Sequence, residues 1–155
     1  MEIEIQRASF VRARTYRRLR ERCLGTQTKG LARFTASMIL NDFRRVLGLD
    51  ALDIFIGYQG HVPVGYFTIR KTLDSMKLES IGVIPEYRKA RIGTRMMRTV
   101  VSYAAGKGCN RLYLTVDASN EPAICLYRKQ GMTCTQTSGT ILTMTLAIRE
   151  EKAYV

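Results

Sequence analysis

Histidine is nearly absent, and cysteine never pairs up. One histidine, His61, and four cysteines, Cys23, Cys109, Cys125 and Cys134, are spread over 155 residues with no Cys-x-x-Cys spacing. Ligands so sparse and scattered argue against a zinc site, and no metal is expected. Only three prolines occur and there is no long Gly/Ser tract, so no large disordered segment is expected. No internal repeat and no low-complexity run is found. No stretch approaches the roughly 18 apolar residues of a membrane span. The opening segment MEIEIQRASF alternates like a strand and lacks the apolar core of a signal peptide. These absences point to one domain over residues 1–155 in a reducing cytoplasm, without a membrane partner. The cysteines then serve as small core residues or free thiols.

Acidic residues are also in short supply: 13 Asp and Glu stand against 25 Lys and Arg, a formal net charge of +12. Arg12, Arg14, Arg17, Arg18, Arg20 and Arg22 fall in one short stretch. A basic surface draws anions, whether coenzyme phosphates, nucleic acid or acidic membranes, and repels polycations such as polyamines and aminoglycosides. A solvated helix face that serves solubility would carry the same charges. Composition leaves both readings open.

What is present is a regular alternation of apolar patterns. Ile3 and Ile5 alternate with Glu2 and Glu4 as in a strand. Val11 to Leu24 has helical spacing, with Val11, Tyr16, Leu19 and Cys23 on one face and Gly25 as its stop. A loop with Lys29 and Gly30 leads to a second helix over Leu31 to Leu47. Asp53 to Tyr58 and Val64 to Lys71 read as strands around a Gln59-Gly60 turn, and Met76 to Ile84 as a third strand ended by Pro85. Arg91 to Ala105 is helical, with Met96, Met97, Val100, Val101 and Ala104 as its buried stripe. Arg111 to Asp117 is a strand, Asn120 to Gln130 a helix stopped by Gly131, and Ile141 to Ile148 a last strand paired with Met132 to Gln136. The order β-α-α-β-β-β-α-β-α-β-β implies an α/β domain with a mixed central sheet and helices on both faces.

One segment carries phosphate chemistry. A buried strand ending at Ile84-Pro85 runs into the turn Glu86-Tyr87-Arg88-Lys89-Ala90, and a helix opens near Arg91-Ile92-Gly93-Thr94. The first N–H groups of a helix have no intrahelical partner and sit at the positive end of its dipole, which makes them an anion site. Gly93 lets a ligand approach the backbone, and Arg88, Lys89 and Arg91 add positive charge. A surface helix cap with solvated cations would look the same.

The segment Arg88-Lys89-Ala90-Arg91-Ile92-Gly93, led in by Val83-Ile84-Pro85, resembles the cofactor loop of the GNAT superfamily of N-acetyltransferases, with Arg91 in place of that loop's first glycine. A second block, Asn120-Glu121-Pro122-Ala123-Ile124-Cys125-Leu126-Tyr127-Arg128-Lys129-Gln130-Gly131-Met132, resembles the family's N-x-x-A-x-x-L-Y-x-x-x-G-F helix and departs from it only at Met132. The resemblance covers Met76 to Ile148 by motif and the whole chain by element order. Leu112 to Tyr127 is similar to bacterial ribosomal-protein N-terminal acetyltransferases in particular.

The resemblance implies a GNAT-like single domain that uses acetyl-CoA. By that likeness Ile81 and Val83, with Gly82 between them, would pair their backbone with the pantetheine arm as an added strand does. Arg88, Lys89, Ala90, Arg91, Ile92, Gly93 and Thr94 would hold the pyrophosphate. Asn120 would contact the pantetheine or orient the thioester, and Tyr127 would protonate the leaving thiolate. An amine attacking a thioester must be neutral, so a base or a water chain must take its proton. Where the ribosomal-protein enzymes carry a Glu, five residues before the Asn, this chain has Thr115. Asp117, two residues on and on the same strand face, and Glu79, on the preceding strand, are the candidate bases; each is equally readable as a carboxylate paired with an arginine. Tyr127 is also readable as a half-buried helix aromatic, Asn120 as an N-cap, Met96 and Met97 as core, Cys125 as packed and His61 as an exposed turn residue.

The leading expectation is acetyl transfer to a primary amine on a protein N-terminus, a lysine, a small metabolite or an aminoacyl-tRNA, with the arginine-rich helix facing an acidic acceptor. The alternative is a non-catalytic CoA-binding or nucleic-acid-binding module on the same fold, although no helix-turn-helix or aromatic-rich binding strand is evident. A homodimer through hydrophobic C-terminal strands is a further expectation from the family.

Overall fold

The computed structural model describes residues 2–8, 12–25, 40 and 52–148. The second helix expected over residues 31–47 lies outside them, Leu40 excepted, as do Val11, Lys29 and Gly30. The strands are β1 (Glu4–Arg7), β2 (Leu52–Gln59), β3 (Val62–Thr72), β4 (Ser75–Val83), β5 (Arg111–Asp117), β6 (Thr133–Ser138) and β7 (Ile141–Ala147). The helices are α1 (Ala13–Leu24), α2 (Ile92–Gly106) and α3 (Glu121–Lys129), with a short 3-10 turn at Pro85–Tyr87.

Among the described residues the strands form one seven-stranded sheet in the order β1-β2-β3-β4-β5-β7-β6. The pair β4–β5 is parallel and the others are antiparallel, as the mixed-sheet expectation requires. Alternation along the central strands then dictates two cores. On β2 and β3, Phe55, Phe67 and Ile69 point to one face, where Met96, Met97, Val100 and Ala104 of α2 and Ile124 and Tyr127 of α3 join them. Ile54, Ile56 and Tyr66 point to the other face, under Ala13, Tyr16 and Leu19 of α1. Each fully buried aliphatic or Met side chain here stabilises by about 1.5–3 kcal/mol relative to exposure. Helix α1 ends where Gly25 turns left-handed at φ 65° and returns its N–H to Glu21 O at 2.9 Å.

Two glycines set how closely α2 approaches the sheet. A Cβ on Gly57 or on Gly65 would stand 2.7 or 2.6 Å from the terminal methyl of Met96. Met96 therefore fills the space that both glycines leave open, which confirms it as core.

Strand β4 contains a bulge that the sequence pattern does not reveal. Thr68 pairs with Ser80 and Ile69 with Leu78, so Glu79 is the extra residue. The extra residue shifts the phase of the strand. Met76 and Leu78 face the α2 side before it, and Ile81 and Val83 pack against the same core after it. Gly82 then faces α1, and Ile84 joins the α1 core.

Candidate active site

Strands β4 and β5 part company early. They pair only at Ser75–Arg111, Met76–Leu112 and Lys77–Tyr113. Strand β4 continues to Val83 and β5 to Asp117. The sheet therefore opens into a wedge, with residues 78–83 on one lip and 114–117 on the other. The lip of β4 has β3 as its neighbour on one side only, so an extended ligand could add to its free edge as a strand does. Ile81, Gly82 and Val83 lie on that lip.

The wedge opens toward the start of α2. Arg91 is the N-cap residue, in the left-handed region at φ 59°, and no side chain caps the helix. The first helical bond runs from Arg95 N to Arg91 O at 3.1 Å. The N–H groups of Ile92, Gly93 and Thr94 are thus left without intrahelical acceptors at the positive end of a 15-residue helix. Lys89 is left-handed as well, at φ 64°. Non-glycine residues pay for this conformation, so two of them within one turn mark stored strain beside the wedge. Arg91 takes the backbone shape a glycine would have taken at that position. Lys89, Ala90 and Arg91 are exposed, whereas the Ile92 side chain is buried in the core.

Two expected ligand contacts prove to have structural partners. Arg88 is turned toward its own chain, donating Nε to Val83 O and Nη2 to Cys23 O, both at 3.2 Å. A Cβ on Gly93 would stand 3.2 Å from Leu126 Cδ2, so this glycine admits α3 against α2. The close approach expected at Gly93 is made by a leucine of the same chain.

Helix α3 borders the wedge beyond β5. Asn120 caps it, its Oδ1 accepting from Ala123 N at 3.3 Å. Ile124 and Tyr127 face the core, and burial pushes the Tyr127 phenol up to about 12. Among the described residues nothing hydrogen-bonds its hydroxyl. Cys125 was expected to be packed but is exposed, because the residue after Ile124 is carried about 100° around the helix.

The wedge lies beside an uncapped helix start, and Tyr127 is buried in the core that α2 and α3 share. The sequence profile of the acetyltransferase (GNAT) family matches residues 16–132. The chain belongs to the GNAT family. It is 37% identical over 79 residues to a protein named as a ribosomal protein bS18-alanine N-acetyltransferase of Bacillus subtilis, a match spanning 51% of this chain and 52% of that one. The matches span from 24% to 52% of the length of the first curated relatives. Its fold is similar to that of the PaiA N-acetyltransferase of Thermoplasma acidophilum, solved with coenzyme A, at a TM-score of 0.79 and 18% identity over 95% of this chain and 99% of that one. The ribosomal-protein-S18-alanine N-acetyltransferase of Escherichia coli superposes with a TM-score of 0.76 and 19% identity over 99% of this chain and 100% of the other.

Within this GNAT domain the two candidate bases have different surroundings. Asp117 ends β5 and is occupied by its own turn. Its Oδ1 accepts from Ser119 N at 2.9 Å and Ser119 Oγ at 2.6 Å, and its Oδ2 accepts from Thr140 Oγ1 at 2.9 Å. The Ser119 hydroxyl and N–H, then Thr140, hold its carboxyl below the usual carboxylate range. Glu79 is the bulge residue, two positions past the last β4–β5 pair. Its carboxylate bridges Arg70 Nε at 3.2 Å and Lys77 Nζ at 2.9 Å. Arg70 and Lys77 stand opposite each other in the ladder, next to the core-facing pair Ile69–Leu78. Glu79 therefore reaches the α1 side of the sheet, while Tyr127 is on the α2–α3 side.

Sequence reasoning missed the junction between α1 and the turn. A Cβ on Gly82 would stand 2.8 Å from Cys23 Cβ and 3.1 Å from its Sγ. Arg22 bonds Glu86 at 2.7 Å, and Arg88 holds the Cys23 carbonyl. Glycine inside a strand was the available signal, because it marks a close approach of another element. The C-terminal strands also differ from expectation. Every residue of β6 is exposed, and this edge strand is rich in Thr and Ser, not apolar. None of the described helices is long and apolar enough to cross a membrane.

Proposed function

We propose that this GNAT domain transfers an acyl group from acyl-CoA to a primary amine by direct attack, with no covalent enzyme intermediate. The observation that carries the reading is the wedge between β4 and β5, which opens onto the uncapped start of α2. The N–H groups of Ile92, Gly93 and Thr94 would hold the pyrophosphate, helped by the exposed cations of Lys89 and Arg91. The lip at Ile81, Gly82 and Val83 would hold the pantetheine, and Asn120 lies at the end of the other lip. Acyl-CoA supplies an activated carbonyl and a thiolate leaving group.

The residues around the wedge divide the proton traffic. Tyr127 keeps its proton at neutral pH, since burial raises it to about 12, and so can donate from Oη to the leaving group. Glu79, on the other side of the sheet, suits a base that receives the amine's proton directly or through water. Asp117 is the second candidate: Ser119 and Thr140 hold its charged form as Arg70 and Lys77 hold that of Glu79, but it ends β5 inside its own turn. The acceptor class is an amine, and the named activity of the Bacillus subtilis relative makes a protein N-terminus the first to test. The unpaired cysteines support a reducing, cytoplasmic setting.

Calorimetry with acetyl-CoA, followed by a turnover assay against peptides, lysine, small amines and charged tRNAs, tests this reading. Binding with transfer to at least one amine is expected. Binding without transfer to any of them would instead favour a CoA-binding module, and no binding would remove the reading altogether.

A further inference from the structure

The charge excess has a local focus on α1 that the acyl-transfer reading does not use. Arg14, Arg18 and Arg22 follow one another at four-residue intervals, so they form a ladder along one helix face, with steps of about 6 Å. The ladder is flanked on both sides. One groove of about 400 Å³ is lined by Arg14, Thr15, Arg18, Leu19, Arg22 and Pro63. Another of about 300 Å³ is lined by Arg14, Arg17, Arg18 and Glu21.

This arrangement runs against what the helix itself prefers. Like charges four apart repel, and a cation in the first turn opposes the helix dipole. Arg14 does both, and α1 has no acidic residue in its first turn to compensate. Four other arginines have carboxylate partners: Arg7 with Asp53, Arg17 with Glu21, Arg70 with Glu79 and Arg22 with Glu86. Arg14 and Arg18 have no such partner among the described residues, and both are exposed. A sequence that accepts local repulsion without relief points to an external anion.

We propose that this face of α1 docks a single nucleic-acid strand by its phosphodiester backbone. A strand carries one phosphate per nucleotide on a flexible backbone, so a ladder with steps of about 6 Å keeps a phosphate within the reach of a guanidinium at each rung. Guanidinium forks match phosphate oxygens two at a time. An acidic membrane would call for apolar side chains projecting beside the cations, whereas Thr15 and Glu21 flank this ladder. Phosphate contacts carry no base information, so the docking is independent of sequence.

The probe is a fluorescent oligouridylate of about 12 nucleotides, titrated by anisotropy across a salt series. Arg14 and Arg18 on phosphates, with Arg22 held by Glu86, predict a slope of log K against log salt of about −1.4 for a single strand, and Arg14→Ala with Arg18→Ala abolishes that slope. The paired lysine variant retains most of the slope, and acetyl-CoA binding by calorimetry stays unchanged in both. Should the alanine pair lose its helical circular dichroism, Arg14→Gln with Arg18→Gln takes its place, with the same loss of slope expected. The proposal is overturned by no saturable binding at about 50 mM salt, by an unaltered slope in the neutral variants, or by tighter binding of a polyglutamate peptide of equal length.

Discussion

The Arg88 guanidinium joins two carbonyls that are 60 positions apart in the chain: Nη2 donates to Cys23 O and Nε to Val83 O, each at 3.2 Å. One carbonyl ends α1 and the other ends β4, so this clamp fixes the first helix to the turn proposed to bind phosphate. Arg88→Ala is expected to lower stability by about 1 kcal/mol, the net worth of such bonds at an exposed site, and to weaken acetyl-CoA binding several-fold. Arg88→Lys should recover only part of either, because an ammonium cannot present the guanidinium's planar fork. Urea denaturation and calorimetry on the two variants measure both effects. Wild-type values in Arg88→Ala would mean that the turn holds its shape unaided.

Tyr127 presents a different balance. Its ring is buried, yet nothing among the described residues bonds its hydroxyl. Tyr127→Phe removes no protein hydrogen bond, so stability should change by less than about 1 kcal/mol. If the phenol donates to the leaving thiolate, kcat should fall by about 10²–10⁴-fold, the usual worth of a positioned acid. Acetyl-CoA affinity should stay the same. Steady-state kinetics with calorimetry separate the two quantities, and an unchanged kcat would remove the acid role from Tyr127.

Much of this architecture was legible because burial on one face imposes a period. Leu112, Leu114 and Val116 alternate on β5, and all are buried. Met96, Met97, Val100 and Ala104 recur at helical spacing and line α2. The wedge was legible only through resemblance, since no residue type announces that two strands stop pairing. The bulge at Glu79 was invisible for a related reason: an inserted residue shifts the phase of a strand without needing a special side chain. Arg88 and Gly93 were assigned to a ligand because a cation and a glycine at a helix start suit one. The sequence does not say which way the Arg88 side chain turns, or that Leu126 comes to occupy the space over Gly93. The hydrogen bonds of Asp117 to Ser119 follow a local Asx-turn pattern that short-range chemistry could have predicted.

Gly93 and Leu126 offer a test that separates packing from ligand contact. A Cβ at Gly93 would lie 3.2 Å from Leu126 Cδ2, so Gly93→Val should push α3 from α2 and cost about 1–3 kcal/mol. Acetyl-CoA affinity should fall with it, because the turn and Tyr127 would no longer keep their spacing. Adding Leu126→Ala makes room for the new side chain. If packing is the whole cause, the double variant binds acetyl-CoA better than Gly93→Val alone. If affinity remains at the level of the single variant while thermal stability improves, a bulky side chain at position 93 obstructs the ligand itself.

Asp117 allows the two bases to be told apart through pH. Its carboxyl lies below its ordinary value of about 3.9, because Ser119 and Thr140 donate to the charged form. Between the folded value and the ordinary one, the unfolded chain binds more protons than the folded chain, so stability rises with pH across that window. The contribution is complete above about pH 3.9 and disappears as pH falls through the folded value. Asp117→Ala should therefore melt below wild type near neutrality, and calorimetric scans should show the gap closing once the solution is more acidic than that window. A gap of constant size would mean that the turn bonds do not depend on the charge. In the rate profile, Asp117→Asn should leave the acidic limb in place, whereas Glu79→Gln should remove it if Glu79 takes the amine's proton. Wild-type profiles in both variants would assign the proton to water, and loss of the limb in Asp117→Asn alone would reverse the assignment made from these hydrogen bonds.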